Sequence, residues 1–308
     1  MLSRTASHLF WMSRYLERAE NLARMLDVSH NLSLLPQSHG AMQELSAPLA
    51  ITGTLTAFHT QYESLTAQNL LQFMALDLGN PASILSCLKN ARENAHAVRG
   101  RITAEMWENI NSTWLEGRRL PDLGVGSVSQ FFEWVKDRSH LFRGVTYGTI
   151  LRNDAYTFIR LGTFLERADN TARILDVKSH LMQPQFEGSA PDYYHWNALL
   201  RSLSAFEAYQ EIYRDAINAQ QVGELLILRP DMPRSLRASV DELHTILQTM
   251  KGDTGRVPQR LVTELQASLR YGMMDEIFER GLHGYITDFL AQINQLGELL
   301  HEAYLDAA

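Results

Sequence analysis

The sequence predicts an all-α protein: a large bundle of about nine or ten helices with an internal duplication and pseudo-two-fold symmetry. Three observations carry this. Apolar residues recur at intervals of three and four almost from end to end, and no alternating strand of useful length appears. Clusters of Pro and Gly fall between the periodic runs, where helix connections are needed. Finally, YLERAENLARMLDV at 15–28 returns as FLERADNTARILDV at 164–177, with ten of fourteen positions identical at an offset of 149.

The first helix follows from Leu9, Met12, Leu16, Ala19, Ala23 and Leu26, one stripe over about 25 residues. Comparable patterns cover roughly 42–73, 81–114, 125–141, 148–182, 192–220, 232–250, 257–271 and 274–305. The breakers are Pro36 to Gly40, Pro121 to Gly126, Pro184 to Pro191, Pro230 to Pro233, and Gly252 to Pro258. Asn80 before Pro81 reads as an N-cap with proline in the first turn, and Asp231 or Met232 before Pro233 reads the same way. LTAF at 55–58 matches LSAF at 203–206, and NPASILSCL at 80–88 is echoed by MPRSLRASV at 232–240. These near-constant offsets define a single domain of two repeats, about 1–147 and 148–308. Two copies are too few for a solenoid, so the repeated helices are expected to meet as in an isologous dimer.

Composition narrows the function. Net charge is -7 with a pI near 5.9, which argues against nucleic-acid binding through a broad basic surface. The single cysteine, Cys87, excludes an intramolecular disulfide framework and a Cys-cluster zinc site, and reads as a buried small hydrophobe. No apolar run is long enough to span a bilayer, and the N-terminal segment lacks a signal peptide's long apolar region. The expectation is a soluble, cytoplasmic protein.

The repeated motif singles out Glu17, Arg18, Glu20, Asn21 and Arg24, with Glu166, Arg167, Asp169, Asn170 and Arg173. On a helical wheel Asp27, Glu20, Arg24, Glu17 and Asn21 adjoin the apolar stripe, with Met25, Leu22 and Tyr15 beyond them and Arg18 alone among those. The charges therefore lie between two apolar flanks, as a partly buried stripe would. Glu20/Arg24 and Asp169/Arg173 stand at i, i+4 in the order that favours an ion pair, and Glu17/Asn21 and Glu166/Asn170 share that spacing.

Buried carboxylates repel unless arginines, protons or a metal balance them. One reading is a structural salt-bridge network. A second is a polar cleft in which arginines take a carboxylate or phosphate bidentately. A di-metal carboxylate site is the third, but the matching His positions are empty and the arginines would compete with a cation, so no metal is expected.

Weaker signals are the Ser-His dipeptides, which cannot form a dyad as helix neighbours, and His30 and His180, placed to suit helix ends. FFEWVKDRSHLFRGVTYG at 131–148 has no counterpart ahead of the first motif, and its His140 and Arg143 are placed near the second stripe. Trp107 and Trp114 read as packing. Glycine-rich phosphate loops, GxSxG elbows and HExxH motifs are absent.

SRYLERAENLARMLDV, FFEWVKDRSHLFRGVTYGT and FIRLGTFLERADNTARILDVKSH together resemble the alpha-E family, bacterial helical proteins named for a recurrent Glu in a Glu-Arg motif. The likeness runs from MLSRTASHLFW to the last helix, and Glu20 stands where the second copy has Asp. It implies a setting: members are encoded beside, or fused to, circularly permuted ATP-grasp proteins and transglutaminase-like proteases, in pathways of ATP-dependent amide ligation. The expected partners are thus an ATP-grasp protein, a transglutaminase-like protease and a peptide or amino-acid substrate, with no cofactor, nucleic acid or membrane. In the leading reading Arg24 and Arg173, with Arg18 and Arg167, bind carboxylates. Glu20, Asn21, Asp169 and Asn170 complete the substrate site, and Glu17 and Glu166 bind an amine or act as acid/base. The alternative is a scaffold in which the stripes only hold the fold and an outer surface docks the ATP-grasp protein.

Overall fold

The computed structural model describes residues 1–33, 41–119, 128–181, 190–250 and 255–306. Among them there is no strand, and the α-helices number fifteen, α1 (Ser3–Ser33) to α15 (Leu282–Leu300). The all-α class is as expected; the count exceeds nine or ten because four long periodic runs are interrupted. Residues 42–73 divide into α2 (Ala41–Ile51), α3 (Leu55–Gln61) and α4 (Ala67–Leu71), and 81–114 into α5 (Ile84–Ala97) and α6 (Ala104–Gly117). Residues 192–220 divide into α9 (Ala190–Ser202), α10 (Phe206–Tyr213) and α11, Ala219–Gly223. The last run breaks into α14 (Met274–Arg280) and α15 at Gly281, whose φ of +94° suits glycine alone. A broken helix keeps the apolar spacing of an unbroken one, so periodicity conceals such turns.

The chain forms two compact units, Met1–Thr163 and Phe164–Asp306, and the division falls inside α8 (Asp154–Leu181). In the first unit α1 is the axis. It packs against α5, α2 and α7 (Val128–Thr149), while α6 bridges α5 and α7. Its apolar face (Leu9, Met12, Leu16, Ala19, Ala23 and Leu26) is buried as the spacing predicts. In the second unit α12 (Leu236–Thr249) packs on α13 (Arg256–Tyr271), and α13 on α15. The part of α8 in this unit joins them: Thr171 donates to the Arg234 carbonyl at 3.0 Å, just ahead of α12, and Leu165 lies against Gly297 of α15.

The duplication is written into local structure. Thr66 caps α4 by accepting from Asn69 N–H, and Asn218 caps α11 by accepting from Gln221 N–H. Each short helix runs on into a π-helical turn, Gln72–Leu76 and Glu224–Leu228. A loop then leads to a serine-capped helix: Ser83 accepts from Ser86 N–H, and Ser235 from Ala238 N–H. The caps are therefore Ser83 and Ser235, not Asn80 and Asp231 or Met232. Asn80 instead secures the loop, donating to the Phe73 carbonyl at 3.0 Å and accepting from Ala82 N–H at 3.0 Å. Asp231 pairs with Arg229, which holds its carboxyl below the usual range. The breakers at 36–40, 121–126, 184–189 and 252–254 lie outside the described residues.

Within the first unit the start of α8 crosses α1 closely. A Cβ on Gly162 would stand 2.3 Å from both the Phe10 carbonyl oxygen and the Ser13 hydroxyl. Gly162→Ala is therefore expected to destabilise the chain by about 1–2 kcal/mol despite alanine's better helix propensity, since a backbone oxygen cannot yield as a side chain can. A lowered melting temperature in calorimetry checks this; a raised one contradicts the close crossing.

Candidate functional site

The motif of α1 forms a charged cluster with α7. Glu20 has a fully buried side chain, and both its oxygens are engaged. Arg24 donates to Oε1 from Nε at 3.1 Å and Nη2 at 2.8 Å, the expected i, i+4 pair. Ser139 donates to Oε2 at 2.7 Å. Arg143 completes the set, with Nη2 3.2 Å from Oε1 and Nη1 closing on Oε2. The same Nη1 stands 3.3 Å from Glu17 Oε2, so one guanidinium serves two buried carboxylates. His140 lies alongside, its Nε2 3.1 Å from Arg24 Nη2 and 3.5 Å from Glu20 Oε1. One turn further, Lys136 of α7 meets Asp27 at 3.2 Å.

Sequence spacing could pair Glu20 with Arg24, but it could not bring in α7, more than a hundred residues away. His140 and Arg143 meet the first stripe, a contact that the sequence expectation did not include. They follow their motif in the chain by more than a hundred residues. The signal that could have placed them is order: α7 follows α6 in the first unit as α15 follows α13 in the second.

The second stripe has the same helical pairs with a different neighbour. Arg173 forks onto Asp169, Nε to Oδ2 at 2.8 Å and Nη2 to Oδ1 at 3.0 Å. Asn170 donates to the Glu166 carbonyl at 2.9 Å and to its Oε1 at 3.2 Å. Arg18 lies over the Tyr15 ring at 5.7 Å and Arg167 over the Phe164 ring at 5.1 Å, so the off-stripe arginines each cover an aromatic. On α15, buried Ile286, Phe289 and Ile293 fall in step with buried Ser139, Phe142 and Thr146 of α7. In that register His283 takes the place of Lys136 and meets Asp176, the equivalent of Asp27, at 2.7 Å. Leu290 takes the place of Arg143, and Thr287 that of His140. The carboxylate–arginine pair is thus duplicated, while α15 carries leucine where α7 carries Arg143.

All ten motif residues but Arg18, Arg24 and Arg173 are buried, Asn21 among them. Buried carboxylates held by guanidinium forks can orient charged groups and can grip an anion wherever an arginine reaches solvent. Among the described residues no three His, Cys, Asp or Glu side chains group as metal ligands would. Cys87 is buried on α5 as expected. Trp107 packs against His96 with Arg92 and Arg99 over its ring. His30 sits in the last turn of α1, while the side chain of His180 lies outside the described residues. No described helix is long and apolar enough to cross a membrane.

A helical protein whose repeated long helix buries a Glu-Arg motif is the class that fold and site define. The chain belongs to the Alpha-E family, described as a predicted alpha-helical domain with a conserved ER motif, whose pattern matches residues 1–305. In this chain the repeated motif carries Glu-Arg at 17–18 and 166–167. Uncharacterized proteins of Mycobacterium bovis and of Mycobacterium tuberculosis are each 23% identical over 316 aligned positions. The alignment covers 94% of this chain and 35% of each relative, so the chain spans about a third of their length. No solved structure matches.

Arg143→Met is expected to lower the stability of the first unit by about 1–3 kcal/mol. Glu20 and Glu17 lose a shared cation, and Arg24 and Ser139 moderate the loss. Urea unfolding of the full chain checks it, and a change below about 0.5 kcal/mol would show a cluster without energetic weight.

Proposed function

We propose that the chain is the substrate-handling helical partner of an ATP-grasp-dependent amide-ligation system, working in the cytoplasm where ATP is at hand. Its Glu/Arg/Asn stripes present fixed carboxylates and guanidiniums to a peptide or an amino acid. The observation that carries the reading is the duplicated pairing of a buried carboxylate with an arginine, Glu20 with Arg24 and Asp169 with Arg173. Burying charge twice in one chain is costly, and an arginine already aligned by its carboxylate is ready to take a second acid group. In this reading Arg24 and Arg173, with Arg18 and Arg167, engage substrate carboxylates, and Glu17 and Glu166 receive an amine or move a proton. Glu20, Asn21, Asp169 and Asn170 hold that geometry. A circularly permuted ATP-grasp protein supplies the activated acyl group, and a transglutaminase-like protease belongs to the same system. Support for these partners comes from the family's setting.

The second reading is a scaffold whose stripes only hold the fold while an outer surface docks the ATP-grasp protein. One observation favours it: Glu20 is saturated by Arg24, Ser139 and Arg143, which is what a structural clamp requires.

The test is reconstitution with the genomically neighbouring ATP-grasp protein, ATP and an amino-acid pool, with products read by mass spectrometry. Glu17→Gln and Glu166→Gln are each expected to cut product formation at least about tenfold at a temperature where the variants stay folded. Full activity with a markedly lower melting temperature would select the scaffold.

A further inference from the structure

The seam between α5 and α6 carries a cluster that neither stripe uses. Lys89, Arg92, His96 and Arg99 recur at intervals of three and four along α5 and the turn after it, so they form one row. Trp107 of α6 meets that row: Arg92 and Arg99 lie over its ring at 5.8 and 5.3 Å, and the His96 ring stands 5.7 Å away. Arg92 also donates to Asn111 at 3.0 Å, and the same antiparallel register sets Lys89 opposite Trp114. Lys89, His96 and Arg99 are exposed, while Trp107 and Trp114 are half-buried. Glu93 pairs with Arg92 at 2.8 Å; among the described residues Lys89 and Arg99 meet no carboxylate. Glu105 and Glu108 stand about 160° and 100° around α6 from Trp107.

The second copy shows what the fold itself needs here. In the register that matches Ser83 with Ser235, buried Met106, Ile110, Thr113 and Gly117 of α6 fall on buried Pro258, Val262, Leu265 and Leu269 of α13. Lys89, Arg92 and His96 then fall on Asp241, His244 and Gln248, and Trp107 and Trp114 on Gln259 and Gln266. Gln266 donates to Asp241 at 2.8 Å, and Gln259 to the Leu247 and Met250 carbonyls. The same helix pair closes there with glutamines, so its packing requires neither two tryptophans nor a row of cations.

We propose that this face of the first unit is a docking surface for an acidic, amphipathic segment of a partner protein. Charge complementarity names the occupant: exposed cations gather here on a chain of net charge -7, around tryptophans that offer apolar area. The row on α5 is about 15 Å long, the span of a short peptide. A long polyanion such as nucleic acid would overrun it onto an acidic chain. Carboxylates of the segment meet Lys89 and Arg99, and its apolar side chains cover Trp107 and Trp114. The surface shares no residue with the Glu/Arg stripes and is independent of their role.

The experiment titrates the full chain, ¹⁵N-labelled at tryptophan, with the peptide acetyl-EELEEFEELEE-amide, and in parallel with acetyl-KKLKKFKKLKK-amide and with oligothymidylate. The indole N–H signals are followed by NMR, and Trp107→Gln, the residue of the second copy, assigns its own signal by loss. The expected result is a saturable shift of the Trp107 signal with the acidic peptide, weakened by salt, and none with the lysine peptide. Binding should be at least about tenfold weaker in the double variant Lys89→Asp, Arg99→Asp, and unchanged in Arg260→Glu on exposed α13. Lys89→Asp copies Asp241 of the second unit, and circular dichroism checks that each variant is folded. Binding that the double variant keeps, or no saturable shift of Trp107 up to about 1 mM peptide, would overturn the docking surface. Tighter binding of oligothymidylate at Trp107 would overturn the acidic-segment assignment in favour of nucleic acid.

Discussion

A carboxylate with no exposure has to be met by cations where it lies, and Glu20 is the residue on which that demand falls hardest. It sits midway along α1, the helix that α2, α5 and α7 of the first unit pack around. One arginine comes from the next turn of the same helix. The other comes from α7, so satisfying the charge fixes the register of two long helices. Apolar contacts alone would tolerate a slip of one helix along another; a saturated carboxylate does not. The same logic explains why Ser139 is buried beside it, since a hydroxyl there supplies the remaining donor.

The second unit shows what happens when one member of that set is replaced. With Leu290 where α7 has Arg143, the α8 motif keeps its helical pairs but gains no guanidinium from α15 at that position. Asp169, one methylene shorter than Glu20, draws Arg173 back along its own helix. The two copies thus share the local carboxylate–arginine pair and differ at the α7 and α15 position that Arg143 and Leu290 occupy. The neighbouring pairs, Lys136 with Asp27 and His283 with Asp176, are common to both copies.

How much of this was legible in the sequence follows the range of the interactions. The helical class, the buried face of α1 and the i, i+4 pairs are local, and they were readable from spacing. The wheel also placed Arg18 apart from the stripe, and the ring of Tyr15 beneath it gives the reason. Helix ends were less legible. Asn80-Pro81 and Asp231-Met232-Pro233 carry the signature of a cap, but the chain turns once more before Ser83 and Ser235 take that role. Arg143 escaped because nothing in its neighbourhood names a partner on α1, and because α15, its counterpart, carries Thr287 and Leu290 where a match would need His and Arg.

The claim that most needs testing is that the Glu20–Arg143 pair couples α1 to α7. A double-mutant cycle with Glu20→Gln, Arg143→Met and the double variant, read by urea unfolding of the full chain, measures it directly. The account predicts a favourable coupling of about 1.5–3 kcal/mol, so that the double variant is much less damaged than the two single losses added together. Additive losses, with coupling within about 0.3 kcal/mol of zero, would contradict it and leave the fold resting on its apolar contacts alone.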